Sequence, residues 1–547
     1  MLNSQPLIIK GRKWVSSSYE GYHISYAGDI KLDDILKIIK RFNNINEITQ
    51  KDINKLFERI KGKFAFIISS KNTLFSAVDR IKSIPIFLAT NKKKLGIGNH
   101  ATPLAKNMHL TKINNNACLS IAMSGYAIGK ETIIEGLTQL EAGECFIWQN
   151  KKKYLYKYYN YEPWKVNSKK DDNVFKRDLK NLTLDIIAEI INKRDNRQIA
   201  VPLSGGFDSR LIISALYKLN AKNIVCYSYG RKNNFEANIA KNIAKKLNYP
   251  WYFTNLDNKI QKNNFSSKLY KEYVAYADTL SAFPYVQDLF VVDDLLKKRI
   301  ISKDTIIING NSGDFISGGH MPLFSKNENK IENIYDKFIT KHCSLWENYF
   351  KTSEINIIKN KLNNQIINNS YKDNDNIPSS SIFEQLEFLN RQTKYVIPGQ
   401  RIYDFYGLDW ELPLWHDDYL KFWSQVPARL KLKQKLYEEM LIEENWGNVW
   451  KKIPINKKYI TPKWIIPLRL LFKCLFIFNK NSLWKNFDQK YFSYWMEIIP
   501  HFPAIPYNKV ISDKRLARNA VSWHTELYLK NKGINQLGNL KNNKIVL

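Results

Sequence analysis

The stretch QIAVPLSGGFDSRLIISALYKLN (198–220) decides the fold class. QIAVPL (198–203) is a short apolar run of the buried-strand type. SRLIISALYKLN (209–220) has the spacing of an amphipathic helix. Between them stands the polar turn Ser204-Gly205-Gly206-Phe207-Asp208. Two glycines let a backbone turn tightly and bring N–H groups close to a ligand. The helix N-terminus that follows adds unpaired donors and a positive dipole end, so strand, glycine loop and helix make an anion site suited to phosphate. No Lys lies inside the loop, which excludes a Walker A sequence. Asp208 beside bound phosphates makes chemical sense if it holds Mg²⁺, a hard cation that bridges carboxylate and phosphate oxygens.

Working outward, the same alternation continues. NVFKRDLKNLTLDIIAEIINK (173–193) has helical spacing, NIVCYSYG (223–230) is a strand, FEANIAKNIAKKLN (235–248) a helix, WYFTNL (251–256) a strand and DTIIING (304–310) a strand. Strands alternating with helices of 10–14 residues imply βαβ units and a parallel sheet. Residues 330–450 read as mainly helical. NGNSGDFISGGH (309–320) follows the strand DTIIING and puts a second carboxylate, Asp314, at the C-terminal end of a parallel strand. Such sheets bind ligands at that edge.

Upstream the period changes. GKFAFIISS (62–70), TLFSAVD (73–79) and IPIFLAT (84–90) are β-rich runs between turn-like clusters. GLTQLEAGECFIWQN (136–150) reads as a strand pair closed around Ala142-Gly143. The first 160 residues are thus short strands with few helices, and KVNSKKDD (165–172) reads as a linker.

The chain has 547 residues, enough for two to four domains, and a net charge of +33. A hydrophobic fraction of 44% excludes a disordered protein. The charge alone fits nucleic acid or an anionic membrane surface. Saturation with Lys, Asn and Ile, residues of AT-rich codons, offers a compositional origin. Residues 451–547 carry a net +14 of it. They include the most apolar stretch, 464–478, too short and too charged to span a membrane. That stretch reads as a core helix, with an interfacial helix as the alternative. Five scattered cysteines without a CxxC pair fit a reducing cytosol, and the N-terminus shows no secretory signal.

On these residues the chain resembles the asparagine synthetase family. SGGFDS is similar to the pyrophosphate-binding loop of ATP pyrophosphatases, and NGNSGDFISGGH is similar to the family's G-x-G-x-D-E-x-x-G-G-[YH] segment. The resemblance implies ATP and Mg²⁺ as cofactors, with Asp208 and Asp314 on the metal. It places pyrophosphate on Ser204, Gly205, Gly206 and Ser209, and adenosine near Leu203, Tyr229, Asn309 and Gly310. The segment 407–441 looks like the part of the family that supplies a catalytic Lys; Lys435 fits best and Lys433 is the other register. Gly62 to Phe66, Val78-Asp79-Arg80 through Ile84-Pro85, and residues 125–146 resemble the family's glutaminase domain. The implied fold is α/β overall. It comprises an N-terminal α+β glutaminase-like (Ntn-type) sandwich over 1–165, a doubly wound parallel-sheet ATP pyrophosphatase domain over 173–450, and a basic helical extension over 451–547.

Four departures refine the expectation. Position 2 is Leu, where the family carries a nucleophilic Cys, and Ala27-Gly28 replaces an Asn-Gly pair. Both imply a glutaminase fold without glutaminase activity, as in β-lactam synthetases, with free ammonia, an amine or a separate protein as nitrogen source. Phe315 stands where Glu is usual, and Arg210 where Ser is commoner. SGGFDSR with a GGH ending looks like a branch found among bacterial surface-polysaccharide genes, which implies a carboxylate other than aspartate, such as a uronic acid. Gln287, Arg391, Arg401 and Asp404 are candidate acceptor contacts or structural ion pairs. The reading is an AMP-forming amide ligase, cytoplasmic or peripheral at the inner membrane surface. A tRNA-modifying ATP pyrophosphatase and an inactive scaffold are its rivals. Nucleic acid is disfavoured because the basic residues lack tight aromatic interleaving.

Overall fold

The computed structural model describes residues 7–9, 13–43, 48–92, 94–149, 151–167, 169–324, 331–347, 350–368, 377–455, 460–476 and 481–535. Leu2, Ser168 in the expected linker, and residues 477–478 at the end of the apolar stretch lie outside them.

The N-terminal part is a two-sheet sandwich. Six strands, Val15–Tyr19, Tyr22–Gly28, Phe64–Ser69, Thr73–Val78, Glu144–Gln149 and Lys152–Lys157, form one antiparallel sheet. Leu7–Ile9, Lys94–Gly98, Phe87–Asn91 and Leu137–Gln139 form the other, in that order. Ala65, Ile67, Leu74 and Val78 of the first sheet meet Leu95 and Ile97 of the second in an apolar layer. The outer face of the six-stranded sheet is covered by the helices Leu32–Asn43 and Gln50–Phe57, through Ile35, Ile38, Ile39, Ile53, Leu56 and Phe57. The strands alternate as read, but two expectations change. Helices are more prominent than the sequence suggested. The two strands of 136–150 do not pair with each other: Leu137–Gln139 pairs with Phe87–Asn91, and Glu144–Gln149 with Thr73–Val78. The Ala142-Gly143 turn, with Gly143 at φ +72°, carries the chain from one sheet to the other instead of closing a hairpin.

The second part is a five-stranded sheet, all parallel, in the order Trp251–Asn255, Ile224–Gly230, Ile199–Pro202, Ile306–Ile308, Asp409–Glu411. The fifth strand was hidden in a segment read as helical; only three residues pair. It is the edge facing the sandwich. Lys13 reaches Leu408 O and Asp409, Lys63 reaches Trp410 O and Glu411, and Arg80 pairs with Asp417 at 2.5 Å. A covered edge strand offers no template for pairing with another chain.

Beyond 450 the chain folds back over the sheet domain. Helix Ala520–Asn531 closes on Asp278 through Tyr528, and Arg515 sits 3.9 Å over the Trp346 ring. The apolar stretch forms the helix Ile465–Cys474, but it is not a core helix: of its residues only Ile465 is buried. With Lys473 and its three leucines outward, it has too few buried positions to act as one.

Two histidines sit at the root of this extension. His524 faces His501 O at 2.9 Å and stacks on Phe283. Burial pushes both imidazoles down to about 4. A His with a folded-state pKa below its ordinary value stabilises the fold above about 6.5, and that contribution is lost as pH falls toward 4. His524→Phe removes one such group. Between pH 6.5 and 4 the wild type should lose up to about 1.4 kcal/mol per pH unit more than the variant. Denaturant melts at several pH values measure this, and parallel curves would refute it.

Candidate active site

The strand Ile199–Pro202 has Ile224–Gly230 on one side and Ile306–Ile308 on the other. The chain leaves it to one side for Ile224–Gly230 and Trp251–Asn255 and later crosses to the other side for Ile306–Ile308, so the loop after it opens at the topological switch point, where such sheets leave a crevice. The loop is tied by its own hydroxyls. Ser204 N donates to Ser209 Oγ at 3.0 Å, the two hydroxyls lie 3.1 Å apart, and Gly206 N donates to Ser204 Oγ at 3.2 Å. Leu203 is buried, its carbonyl accepting from Ser228 Oγ at 2.7 Å. Neither loop glycine is left-handed, so the turn itself does not demand them.

Arg210 holds the loop from beneath. It is fully buried and donates to four carbonyls: Gly205 O at 2.9 Å, Pro454 O at 2.7 Å, Ile453 O at 3.1 Å and Val449 O at 3.2 Å. Desolvation lowers its pKa to about 10, still a cation at neutral pH.

The two predicted carboxylates meet here. Asp314 N donates to Asp208 Oδ2 at 3.1 Å, across 106 residues of sequence. Gly310 and Gly313 make this approach possible. A Cβ on Gly310 would stand 2.8 Å from the Asp208 backbone, and one on Gly313 would stand 2.5 Å from Asp208 Oδ1. Ser312 between them adopts φ 68° and is held by its hydroxyl to Gln392 at 2.8 Å. Desolvation, then the charge of Asp314, pushes the Asp208 carboxyl above the usual range. Desolvation also opposes ionisation of Asp314, but the hydrogen bond from His320 at 2.9 Å, the charges of His320 and Arg391 and the Phe315 N–H together outweigh it, and the carboxyl stays below its ordinary value. His320 in turn faces the fully buried Glu387. Burial works against its charge, yet the two carboxylates raise its pKa to about 9, so an imidazolium bridges them. Glu387 also faces His342 Nε2 at 3.0 Å and accepts from Gln392 Nε2 at 3.0 Å.

Among the described residues no group of three or more His, Cys, Asp or Glu could hold a metal. Two carboxylates beside a phosphate loop nevertheless fit Mg²⁺, which takes one or two protein carboxylates and completes its octahedron with phosphate oxygens and water.

On the other flank, Tyr229 donates to the buried Asp288, and Gln287 Nε2 donates to Tyr229 Oη at 3.2 Å. Tyr403 Oη donates to Asp288 at 2.6 Å and accepts from Asn309 Nδ2 at 3.2 Å. Tyr229, Gln287 and Asn309 therefore form one network around Asp288. Desolvation raises that carboxyl's pKa.

Other expected residues stand elsewhere. Lys435 is exposed, 3.9 Å from Glu439. Two positions on, the buried Tyr437 reaches Asp208 Oδ1 at 3.3 Å; residues two apart on a helix face different ways, so Lys435 is not brought to the carboxylates. Lys433 is exposed as well. Arg391 lies 3.8 Å from Glu387. Arg401 and Asp404 face a cavity of about 420 Å³ between sandwich and sheet, which Ala27, Gly28, Lys63 and Arg197 also line. No cysteine lines it. Burial pushes the thiols of Cys118 and Cys343 up to about 12, away from nucleophilic use. His320 was legible as the last residue of the second motif, though not its role. Glu387 and Asp288 carried no motif at all, and Tyr437 stood in the segment 407–441 with no role assigned to it.

Two family descriptions match the chain: a glutamine amidotransferase domain over residues 46–159 and asparagine synthase over residues 189–442. The chain has an asparagine synthetase-family architecture. This pair of matches supports an amide-ligase enzyme. No curated protein matches the chain. Among solved structures, an NH3-dependent NAD synthetase from Campylobacter jejuni, in complex with nitrate, is 15% identical over 36% of this chain and 98% of its own, with a TM-score of 0.20. The allosteric regulatory enzyme of purine biosynthesis is 9% identical over 44% of this chain and 61% of its own, with a TM-score of 0.17. A glutamine phosphoribosylpyrophosphate amidotransferase from B. subtilis, complexed with ADP and GMP, is 10% identical over 54% and 56%, with a TM-score of 0.16. Scores this low carry no further weight.

Gly313→Ala pushes the Asp208 carboxylate away from its place beside Asp314 without removing either carboxylate. A misplacement on the order of 1 Å costs roughly 10²-fold in turnover, and we expect that loss in pyrophosphate release, with a circular-dichroism spectrum like the wild type's. Undiminished turnover would show that the close approach is dispensable.

Proposed function

We propose that the protein is an ATP-dependent, AMP-forming amide ligase that adenylates a carboxylate and delivers ammonia or an amine to it. The carrying observation is the meeting of Asp208 and Asp314 at the mouth of the glycine loop. In this reading Ser204, Gly205, Gly206 and Ser209 hold the β- and γ-phosphates, and Leu203, Tyr229, Asn309 and Gly310 surround the adenosine. Mg²⁺ on Asp208 and Asp314 would neutralise phosphate charge as it redistributes.

A carboxylate oxygen of the acceptor attacks the α-phosphorus, the bond to the bridging oxygen breaks, and pyrophosphate leaves. The acceptor's carbonyl carbon now carries AMP as its leaving group. The nitrogen lone pair adds there, the oxyanion collapses, the C–O bond to AMP breaks, and the nitrogen loses its proton to solvent or a basic side chain. His320 acts by orienting Asp314, since its other nitrogen is held by Glu387. Phe315 is buried and stacks on Trp415, ring centroids 5.7 Å apart, so the position where the family usually carries Glu is apolar here. An acceptor other than aspartate, a sugar acid of a surface polysaccharide, is our reading. Free ammonia, an amine or a separate protein supplies the nitrogen, since no cysteine lines the cavity beside Ala27-Gly28.

Pyrophosphate release, assayed with ATP, Mg²⁺, ammonium and a panel of uronic acids, tests this. Asp208→Asn and Asp314→Asn should each lower turnover on the order of 10²–10³-fold. Turnover retained in both would overturn the assignment. Glutamine should be hydrolysed no faster than in buffer; rapid hydrolysis by the purified chain would contradict the nitrogen source proposed.

A further inference from the structure

The helix Ile465–Cys474 is apolar on two faces. Its inward face packs: Ile465 is buried, Phe472 meets Phe487 and Phe492, and Arg469 holds Asp488 by two hydrogen bonds of 2.6 Å. Its outward face is apolar too. Trp464, Leu468, Leu471 and Leu475 are 56%, 43%, 65% and 69% exposed, and Leu470 beside them 59%. Their spacing of four, three and four residues makes one stripe along the helix. A solvent-facing stripe is ordinarily charged or polar. Single exposed leucines are normal, whereas a contiguous apolar patch marks an interaction surface.

The charges around the stripe indicate what it meets. Lys463 and Lys473 are exposed at its two ends, and no Asp or Glu occurs between residues 460 and 476. Ten residues of helix reach about 15 Å, half of a bilayer's hydrocarbon core. No helix of the described residues is long and apolar enough to cross a membrane. A short helix with apolar residues outward and lysines at its margins suits the plane of an anionic lipid surface.

The stripe also has fixed roots. Upstream, Arg210 grips Val449, Ile453 and Pro454. Downstream, Arg231 N donates to Ile498 O at 2.8 Å and Arg231 Nε to Glu497 O at 2.8 Å, just after the strand that carries Tyr229. The segment bearing the stripe therefore springs from the rim of the nucleotide crevice.

We propose that Trp464, Leu468, Leu470, Leu471 and Leu475 dock the protein on an anionic bilayer, the helix lying flat among the headgroups with the crevice rim at the surface. This goes beyond the proposed reaction and does not depend on it.

Co-sedimentation of the full chain with vesicles is the test, comparing phosphatidylcholine containing phosphatidylglycerol with phosphatidylcholine alone. The wild type should bind the anionic vesicles, less in high salt. Leu468→Ser, Leu471→Ser and Leu475→Ser combined should lower the partition coefficient about tenfold or more. Lys463→Glu with Lys473→Glu should lower it at least about tenfold and flatten the salt dependence. All these side chains are solvent-facing, and an unchanged ATP titration reports that each variant is folded. Equal sedimentation of wild type and leucine variant would overturn the proposal, as would absence of wild-type binding. A dimer in light scattering that the leucine variant abolishes, without vesicle binding, would assign the stripe to a second copy and equally overturn it.

Discussion

Everything at the crevice depends on two aspartates being held side by side, with the backbone N–H of Asp314 on the carboxylate of Asp208. Asp208 and Asp314 repel each other, and desolvation makes each charge costlier. The fold brings them together by removing volume. Gly310 lets the end of one strand touch the start of the Asp208 helix, and Gly313 leaves room for the Asp208 carboxylate itself. The hydrogen bond from the Asp314 backbone N–H to Asp208 then gives one anion a donor that belongs to the other.

The charge that remains is balanced asymmetrically. Asp314 has an imidazolium partner in His320, while among the described residues the Asp208 carboxylate is met by a peptide N–H and the Tyr437 hydroxyl. Burial alone would leave His320 neutral. Asp314 and the fully buried Glu387 on its far side together keep it charged. Glu387 itself is tolerable in the interior because His320, His342 and Gln392 surround it with donors. A buried carboxylate thus fixes the direction of a partly exposed one, and the less compensated Asp208 is left as the group with most to gain from a cation.

How much of this could be read beforehand follows from the range of the interactions. The strand–loop–helix at 198–220 and the alternation after it were legible because their signals are local: hydrophobic period, glycine, a polar turn. Asp208 and Asp314 were legible because each sits in a short motif. The partners that set their chemistry were not. Glu387 is 67 residues from His320, and Tyr437 is 229 from Asp208; an isolated Glu or Tyr on a helix carries no signal of where the helix will lie. The strand Asp409–Glu411 escaped notice for a related reason. Three residues show no period, and their strand character comes from pairing with Ile306–Ile308. The two strands of 136–150 were seen but mispaired, since a glycine turn reads the same whether it closes a hairpin or crosses between sheets.

Arg210 links the crevice to the part of the chain with no motif at all. Where a short Ser is commoner, a long cation runs under the phosphate loop, and burying a cation costs less the more of its donors are met. Among the described residues Nε has no partner and no carboxylate meets the terminal N–H groups. The acceptors are four carbonyls, one from the loop and three from residues 449–454. Carbonyls in that arrangement exist only if the chain beyond 448 wraps back against the loop. The Arg and the wrapped segment therefore require each other: without the segment the guanidinium is stranded, and without the guanidinium three inward-facing carbonyls lose their donor. This mutual dependence gives the basic extension a structural tie to the nucleotide crevice.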